Sequence, residues 1–214
     1  MIYEERRVLV RRGLAMEYQR LSRESIWPAL SDHGAHVLCL LGGLIGDPPD
    51  ELLQITRFPD LSAWERAQQN SVAHHRPLIE REEVRLLRAV SSRPKAELSP
   101  ADRRQVYGYR RFLIQPSDLD EFVHCSAEGV WPRIEAQGAH ILGLWTTRAA
   151  TTPMEVVLLT GYHDPTHWDE TRATRPKPNH LDQQLWDESA RLLARRSHLT
   201  LKTWVCLMRA LELP

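Results

Sequence analysis

The chain has 214 residues, of which 42% are apolar and 26% charged, values typical of a globular protein rather than a disordered one. Lysine plus arginine and aspartate plus glutamate both number 28, so the positive excess that a nucleic-acid groove or an anionic membrane surface needs is absent. The three cysteines are unclustered and indicate neither a disulfide framework nor a zinc site.

The longest apolar run, residues 37–45, is about half of a membrane span. A predicted strand begins at Tyr3 and leaves no room for a signal peptide. We therefore expect a cytoplasmic protein that binds neither nucleic acid nor a membrane.

The first half of the chain reads as strand, helix, strand, strand, helix. Residues 3–10 alternate between two faces at period two, which predicts a strand. Apolar residues then recur at spacings near 3.6 from Leu14 to Ile26, which predicts an amphipathic helix. We expect Trp27-Pro28 to kink or end this helix, because proline lacks a backbone donor and clashes with the preceding turn. The next predicted elements are a hairpin of strands 36–41 and 51–58, and a helix with Asp60 at its N-cap.

The second half of the chain repeats the first. Residues 3–66 align with residues 107–170 at a constant offset of 104 without a gap, and 19 of the 64 positions are identical. Chance alone predicts about four identities. We therefore predict two copies of one folding unit, at residues 1–90 and 106–214, with a linker at residues 91–105. The predicted elements of the second copy are strand 107–114, helix 119–134, strands 140–145 and 155–162, a helix capped by Asp164, helix 181–195 and strand 199–208.

The order strand, helix, strand, strand, helix, strand is that of a ferredoxin-like unit. Both helices of such a unit cover one face of its four-stranded sheet, and pairing two open faces is an economical way to bury them. The predicted fold class is α+β, with two tandem ferredoxin-like units that form an intrachain dimeric α+β barrel. A homodimer of this pseudo-dimeric chain remains open.

The repeated motifs resemble those of the NIPSNAP family. They are Tyr-x-x-Arg at the start of each copy, Trp-Pro in the first helix, His-Gly-Ala or Gln-Gly-Ala before the second strand, and Leu-Leu-Gln-Ile-Thr-Arg-Phe-Pro-Asp-Leu-Ser-Ala-Trp at residues 52–64. The resemblance covers nearly the whole chain as a tandem pair. It implies the dimeric α+β barrel superfamily, whose members include cofactor-independent monooxygenases, haem-binding proteins and isomerases, so the function has to be argued from the site.

His36 and His140 are the candidate catalytic residues. They occupy equivalent positions after a Gly-Ala pair, at the start of a predicted strand. Histidine exchanges protons near neutral pH, so either could act as a general base. The alternative is that both only stabilise the turn through hydrogen bonds.

Arg7 and Arg111 are candidate substrate-binding residues. Each belongs to an adjacent arginine pair, so one arginine of each pair lies on each face of its strand. A partly buried arginine binds a carboxylate, a phosphate or an enolate oxygen. An ion pair with a nearby glutamate is the alternative.

Differences between the copies add three further candidates. Gln54 makes the first copy polar at a position of the third strand, whereas Tyr109 and Trp145 make the second copy aromatic. Such a difference is expected if the two ends of a ligand meet different chemistry, and neutral drift with repacking is the alternative.

Histidine pairs raise the question of a metal. They are His33 with His36, His74 with His75, and His163 with His167. None has a third ligand at a recognisable spacing, so we expect no metal and no cofactor.

Two classes of function follow from these observations. The first is binding of a small, partly apolar organic molecule between sheet and helices of the barrel. If the protein is an enzyme, the resemblance implies cofactor-independent proton transfer or oxygenation. The second is a non-catalytic protein, either a haem or metabolite carrier or a protein-interaction module.

Overall fold

A computed structural model describes residues 1–71, 75–95, 98–149 and 151–211. The chain divides into two compact units, of which the first comprises residues 1–88 with the C-terminal residues from 208 onward, and the second residues 89–207. Residues 91–105, predicted as a linker, lie within the second unit. In the described part of the chain, no helix has both the length and the apolar character needed to cross a membrane.

The first unit contains a four-stranded antiparallel sheet. Its strands are β1 (Ile2–Val10), β2 (His36–Ile45), β3 (Glu51–Phe58) and β4 (Ile79–Ala89), in the order β4-β1-β3-β2. Its helices are α1 (Ala15–Leu21), α2 (Trp27–Ser31) and α3 (Leu61–Ser71). Val8 and Val10 of β1 pack with Tyr18 and Trp27 of the helical layer in one core. The strand order is that of a ferredoxin-like unit.

The second unit repeats this arrangement. Its strands are β5 (Val106–Ile114), β6 (His140–Thr147), β7 (Met154–Tyr162) and β8 (Thr200–Ala210), in the order β8-β5-β7-β6. Its helices are α4 (Leu119–His124), α5 (Trp131–Glu135), α6 (Pro165–Glu170) and α7 (Gln183–Leu199). Phe112 and Ile114 of β5 pack with Phe122 and Trp131 of the helices.

The Trp-Pro pairs do not end the first helix of either unit, so that part of the prediction is wrong. The helix widens into a π-helical segment, Ser22–Ile26 in the first unit and Cys125–Val130 in the second, and then continues as α2 or α5. Each proline is the second residue of the resumed helix, where its fixed φ is compatible with helical backbone.

The predicted N-caps are confirmed. Asp60 Oδ1 accepts a hydrogen bond of 2.8 Å from the Ala63 amide, and Asp164 Oδ1 accepts one of 2.8 Å from the His167 amide. The final helix of the second unit has its own cap, Asp182, whose side chain accepts from the Leu185 amide. An aspartate at this position satisfies an amide that has no partner inside the helix.

Candidate functional site

A cavity of about 210 Å³ lies between the sheet and the helices of the second unit. It contains more space than the ~150 Å³ cavity that holds a benzene molecule. The exposed stretch Arg172–Thr174 forms its solvent side. Its lining residues are Gly108, Arg110, Val130, Arg133, Ile134, Leu158, Thr160, Tyr162, Trp168, Thr171, Arg172, Ala173, Thr174, Leu193, Arg196 and Val205. Four of these are arginines, and none is an aspartate or a glutamate.

Arg110 reaches the cavity because of its place on β5. Side chains alternate along a strand, so Gly108, Arg110 and Phe112 share the face that carries the helices. The Arg110 guanidinium lies 5.9 Å from the centre of the Phe112 ring. Burial lowers the pKa of Arg110 below its ordinary value, although the neighbouring Tyr162 acts in the opposite direction.

Arg196 is one of the two buried arginines of the cavity, with Arg133. It comes from α7 and is 8% exposed, with its guanidinium over the rings of Phe112 at 5.3 Å and Phe122 at 5.7 Å. Its Nη1 donates a hydrogen bond of 3.3 Å to Ser126 Oγ. Burial, reinforced by the nearby charge of Arg110, lowers the pKa of Arg196 to about 10.

Arg133 closes the cavity from α5. Its Nε donates to Ser189 Oγ at 3.1 Å and its Nη1 donates to the Thr171 carbonyl at 3.0 Å. Its guanidinium also lies 5.2 Å from the Trp186 ring centre. Burial lowers the pKa of Arg133 as well. The groups that accept its two hydrogen bonds, the Ser189 hydroxyl and the Thr171 carbonyl, are both neutral.

The positive charge in the cavity is uncompensated. In the part of the chain that the structure describes, no carboxylate forms an ion pair with Arg110, Arg133 or Arg196. Arg172 at the mouth does pair with Asp169, at 3.3 Å. Burying a charge without a partner is costly, so three such arginines around one space indicate a site for an anion.

The corresponding place in the first unit is filled. Arg6, which aligns with Arg110, donates from Nε to Glu4 Oε1 at 2.8 Å and from Nη2 to Gln68 Oε1 at 2.7 Å, and it also pairs with Glu82. Burial alone would lower the pKa of Arg6, but Glu4 and Glu82 raise it above its ordinary value. The two equivalent arginines thus have opposite pKa shifts because only Arg6 has carboxylate partners.

The two candidate histidines have different surroundings. His36 is exposed, whereas His140 is 8% exposed and its Nε2 lies 3.5 Å from Asp102 Oδ1 without forming a hydrogen bond within the described residues. Burial lowers the pKa of His140, and Asp102 acts against this shift. Neither histidine lines the cavity, and their catalytic roles stay predictions.

The predicted arginines form ion pairs with glutamates of the neighbouring strands. Arg7 donates from Nη1 to Glu51 Oε1 at 3.0 Å, and Arg111 donates from Nε to Glu155 Oε2 at 2.8 Å. The Arg111 guanidinium also lies 4.8 Å from the Trp204 ring centre. Neither arginine lines the cavity of the second unit, so their predicted substrate-binding roles remain untested.

The three other candidates are buried. Gln54 accepts a hydrogen bond of 2.9 Å from Trp27 Nε1 and donates one of 2.8 Å to Thr56 Oγ1. Tyr109 and Trp145 are 1% and 0% exposed. None of these residues borders the cavity of the second unit either.

One signal in the sequence could have identified part of the cavity lining. The alignment places Glu4 opposite Gly108 and Arg6 opposite Arg110, on the strand face not chosen as the site. The second copy thus has an arginine, Arg110, without the acidic residue that stands near the equivalent arginine in the first copy. This difference indicates an arginine without a carboxylate partner. Arg133 and Arg196 carry no comparable signal, because only the packing of the helices brings them to β5.

No metal centre was found in the described residues, where His, Cys, Asp and Glu form no group of three or more that could hold an ion. His163 and His167 stack at 4.8 Å, and His167 Nε2 lies 2.8 Å from the Gln137 carbonyl oxygen. His74, part of another predicted pair, lies outside the described residues. The absence of a metal stays a prediction.

The fold is shared with solved structures over the full chain. A putative monooxygenase from Lactobacillus acidophilus NCFM matches with a TM-score of 0.64 and 11% identity, covering 100% of this chain and 99% of that one. An anthrone oxidase-like protein matches with a TM-score of 0.61 and 10% identity, covering 99% and 91%. The predicted fold class, α+β with tandem ferredoxin-like units of the dimeric α+β barrel type, is confirmed.

NIPSNAP structures match one half of the chain. A NIPSNAP domain protein from Burkholderia xenovorans is 14% identical and covers 46% of this chain and 99% of its own, with a TM-score of 0.35. No protein-family model and no curated protein matches the sequence. The resemblance to NIPSNAP proteins therefore stays a similarity.

Proposed function

We propose that the protein binds a small, partly apolar organic molecule in the cavity of the second unit. The observation that carries this proposal is the cavity itself, which has apolar walls and several polar groups converging on one space. Val130, Ile134, Leu158 and Leu193 supply the apolar walls. Ligand sites typically combine such walls with a few placed polar groups. The likeness to proteins described as monooxygenases and an anthrone oxidase-like protein supports a small-molecule ligand.

Closing the mouth of the cavity tests this proposal. Ala173 lines the cavity and is exposed, so Ala173→Trp is expected to block entry without disturbing the core. Ala190→Trp is the matched control, because Ala190 is an exposed residue of α7 that does not line the cavity. Binding of benzoate and of benzyl alcohol is measured by titration calorimetry at constant ionic strength.

We expect Ala173→Trp to weaken binding by at least about tenfold, and Ala190→Trp to leave it unchanged. Binding that survives Ala173→Trp would place the probe elsewhere on the protein. If neither probe binds the parent protein, the proposal is wrong.

A second candidate function is cofactor-independent proton transfer or oxygenation. The observation that favours it is the Arg110 charge beside Tyr162, where burial raises the pKa of the Tyr162 phenol and Arg110 opposes the shift. Fixed positive charge in a water-poor cavity stabilises a substrate that has lost a proton. Catalysis by His36 or His140, with Arg7 or Arg111 stabilising an oxyanion, remains the prediction made from the sequence.

Dioxygen uptake tests the catalytic candidate. With anthrone as the probe, oxygenation consumes one dioxygen and forms anthraquinone and water. We expect uptake by the parent protein to fall in Arg110→Gln and in His140→Gln if each predicted role is correct. No uptake above the buffer rate, with benzoate binding intact, would leave the binding function and exclude oxidation of this probe.

The non-catalytic alternative comprises a haem or metabolite carrier and a protein-interaction module. The side chains that line the cavity include no histidine, cysteine or methionine, which are the common protein ligands of haem iron. A metabolite therefore suits this cavity better than haem. A protein-interaction role has no supporting observation of comparable strength in the second unit.

A further inference from the structure

We propose that the ligand of this cavity is a small carboxylic acid, and that its carboxylate takes the place that the Glu4 side chain holds in the first unit. This inference rests on the proposed binding function and names the chemical class of its ligand. The observation that carries it is a comparison of two equivalent sites in one chain, of which one contains its own carboxylate and the other does not.

The two places are equivalent by backbone register. Glu4 pairs with Thr56 across β1 and β3, and Gly108 pairs with Thr160 across β5 and β7. Glu4 and Gly108 also align at the constant offset of 104 residues. The Glu4 side chain therefore marks, in the first unit, the space that lies in front of Gly108 in the second.

Glu4 shows what this space recognises. Glu4 as a whole residue is 1% exposed. Its carboxylate accepts hydrogen bonds from Arg6 Nε at 2.8 Å, Trp64 Nε1 at 2.6 Å and Gln68 Nε2 at 2.9 Å. Three donors of different kinds thus surround one carboxylate. Such charge-assisted hydrogen bonds are stronger than those between neutral groups.

The second unit keeps two of these donors and lacks the acceptor. Arg110 and Trp168 align with Arg6 and Trp64 and line the cavity, and Arg172 supplies a further donor at its mouth. Trp168 Nε1 has no acceptor among the described residues. Arg133, which aligns with Ala29, adds a further positive charge. The site is therefore more cationic than the one that already holds a carboxylate.

Glycine at position 108 brings no carboxylate to the cavity that it lines. Its backbone does not have the positive φ that would require glycine. A β-carbon there would lie 3.3 Å from Cε2 of Tyr162 and 3.7 Å from Cγ2 of Val205, both of which line the cavity. A side chain at position 108 therefore requires the Tyr162 ring to shift by a few tenths of an ångström.

The size of the ligand follows from the cavity. The Glu4 side chain amounts to a propionate group, and the remaining space extends along Val130, Ile134 and Leu158. A short aliphatic chain or one aromatic ring attached to a carboxylate fits both features. A phosphate monoester is also an anion, with a charge of about −1.5 to −2 at pH 7, and is distinguished by experiment.

The first arm of the test compares three probes of similar size. We expect benzoate to bind about 10- to 100-fold more tightly than benzyl alcohol, the range expected when hydrogen bonds to a charged group are lost. Equal binding of benzyl alcohol would overturn the carboxylate inference and leave the proposed function standing. Tighter binding of phenyl phosphate than of benzoate would also overturn it, in favour of a phosphorylated ligand.

The second arm places the carboxylate back on the chain. We expect Gly108→Glu to abolish benzoate binding and to melt at a higher temperature than Gly108→Gln, because only the new carboxylate pairs with Arg110 as Glu4 does with Arg6. Gly108→Gln is the matched control, since it places the same volume against Tyr162 without the charge. Equal melting temperatures for the two variants would contradict the inference.

If position 108 tolerates no side chain, Arg110→Gln tests the carboxylate inference instead. This variant is expected to weaken benzoate by about 10- to 100-fold and benzyl alcohol by less than about threefold. Arg195→Gln, which removes an exposed arginine of α7 that pairs with Glu121 and does not line the cavity, should leave the affinity for benzoate unchanged. Loss of both probes to the same degree in Arg110→Gln would show a structural role for Arg110 and sink the carboxylate assignment.

Discussion

At the scale of single residues, His36 and His140 show how identical positions in sequence acquire different chemistry. His36 is exposed, whereas His140 is buried beside Asp102. Lys95 and the Ser99 amide hold the pKa of Asp102 well below its usual range, so its carboxylate stays ionised. The lowered pKa of His140 nevertheless shows that burial outweighs the attraction of that carboxylate.

His140 should make the stability of the protein depend on pH. Its pKa is lower in the folded chain than the ordinary value of 6.5, so the unfolded chain binds the proton more readily. The contribution of neutral His140 is complete above pH 6.5 and is lost as the pH falls through the folded pKa. We expect His140→Gln to reduce the loss of unfolding free energy between pH 6.5 and lower pH, measured by urea denaturation.

The control for this prediction is Ala190→Gln, which alters an exposed residue of α7 that carries no titratable group. Its pH dependence should match that of the parent protein. An unchanged profile in His140→Gln would show that another group dominates the acid sensitivity.

At the scale of elements, the Trp-Pro segments hold the helices against the sheets. Trp27 and Trp131 are each 4% exposed and belong to the cores of their units. Only Trp27 has a hydrogen-bond partner for its indole N–H, because Gln54 of the first unit is replaced by Leu158 in the second. Trp131 Nε1 has none among the described residues.

Replacing either tryptophan by alanine should be strongly destabilising. We expect a loss of about 3–5 kcal/mol in unfolding free energy for each, as for other buried aromatic residues. Trp27→Ala should cost about 1 kcal/mol more than Trp131→Ala, because it also leaves the Gln54 amide without its donor. Urea unfolding with benzoate titration on the same samples checks both points. If both variants unfold like the parent and lose only ligand binding, the structural role is wrong.

At the scale of the whole molecule, duplication has produced two sites of the same origin and different content. In the first unit the arginine of the Tyr-x-x-Arg motif is neutralised by Glu4 and Glu82. In the second unit the equivalent arginine faces a cavity that has no lining carboxylate. The place beside Arg6 is therefore filled by Glu4, while the place beside Arg110 opens on the cavity.

This difference predicts one ligand per chain. Titration calorimetry with benzoate should give a stoichiometry of one, because Glu4 already occupies the equivalent place in the first unit. A matched Glu4→Gln variant, which keeps the volume and removes the charge, should still give one. Two equal sites per chain would contradict the asymmetry between the copies.

The sequence by itself determined the fold class, the strand and helix order and the duplication. The period of 2 or 3.6 residues in the apolar pattern and the identity at a constant offset can be read from the sequence alone. The strands and helices that they predict are present as β1, β5 and the corresponding helices of the two units. The N-caps at Asp60 and Asp164 were likewise visible, because a cap depends on residues only three positions away.

Only the tertiary structure decided which arginines lie together and which of them form ion pairs with carboxylates. Arg110 and Arg196 lie far apart in the sequence and meet at one cavity because α7 packs over β5. The pairing of Arg7 with Glu51 and of Arg111 with Glu155 likewise depends on the register of neighbouring strands. Periodicity gives the face on which a side chain lies, but burial and charge depend on residues contributed by distant segments, and these set the pKa and the free space of the site.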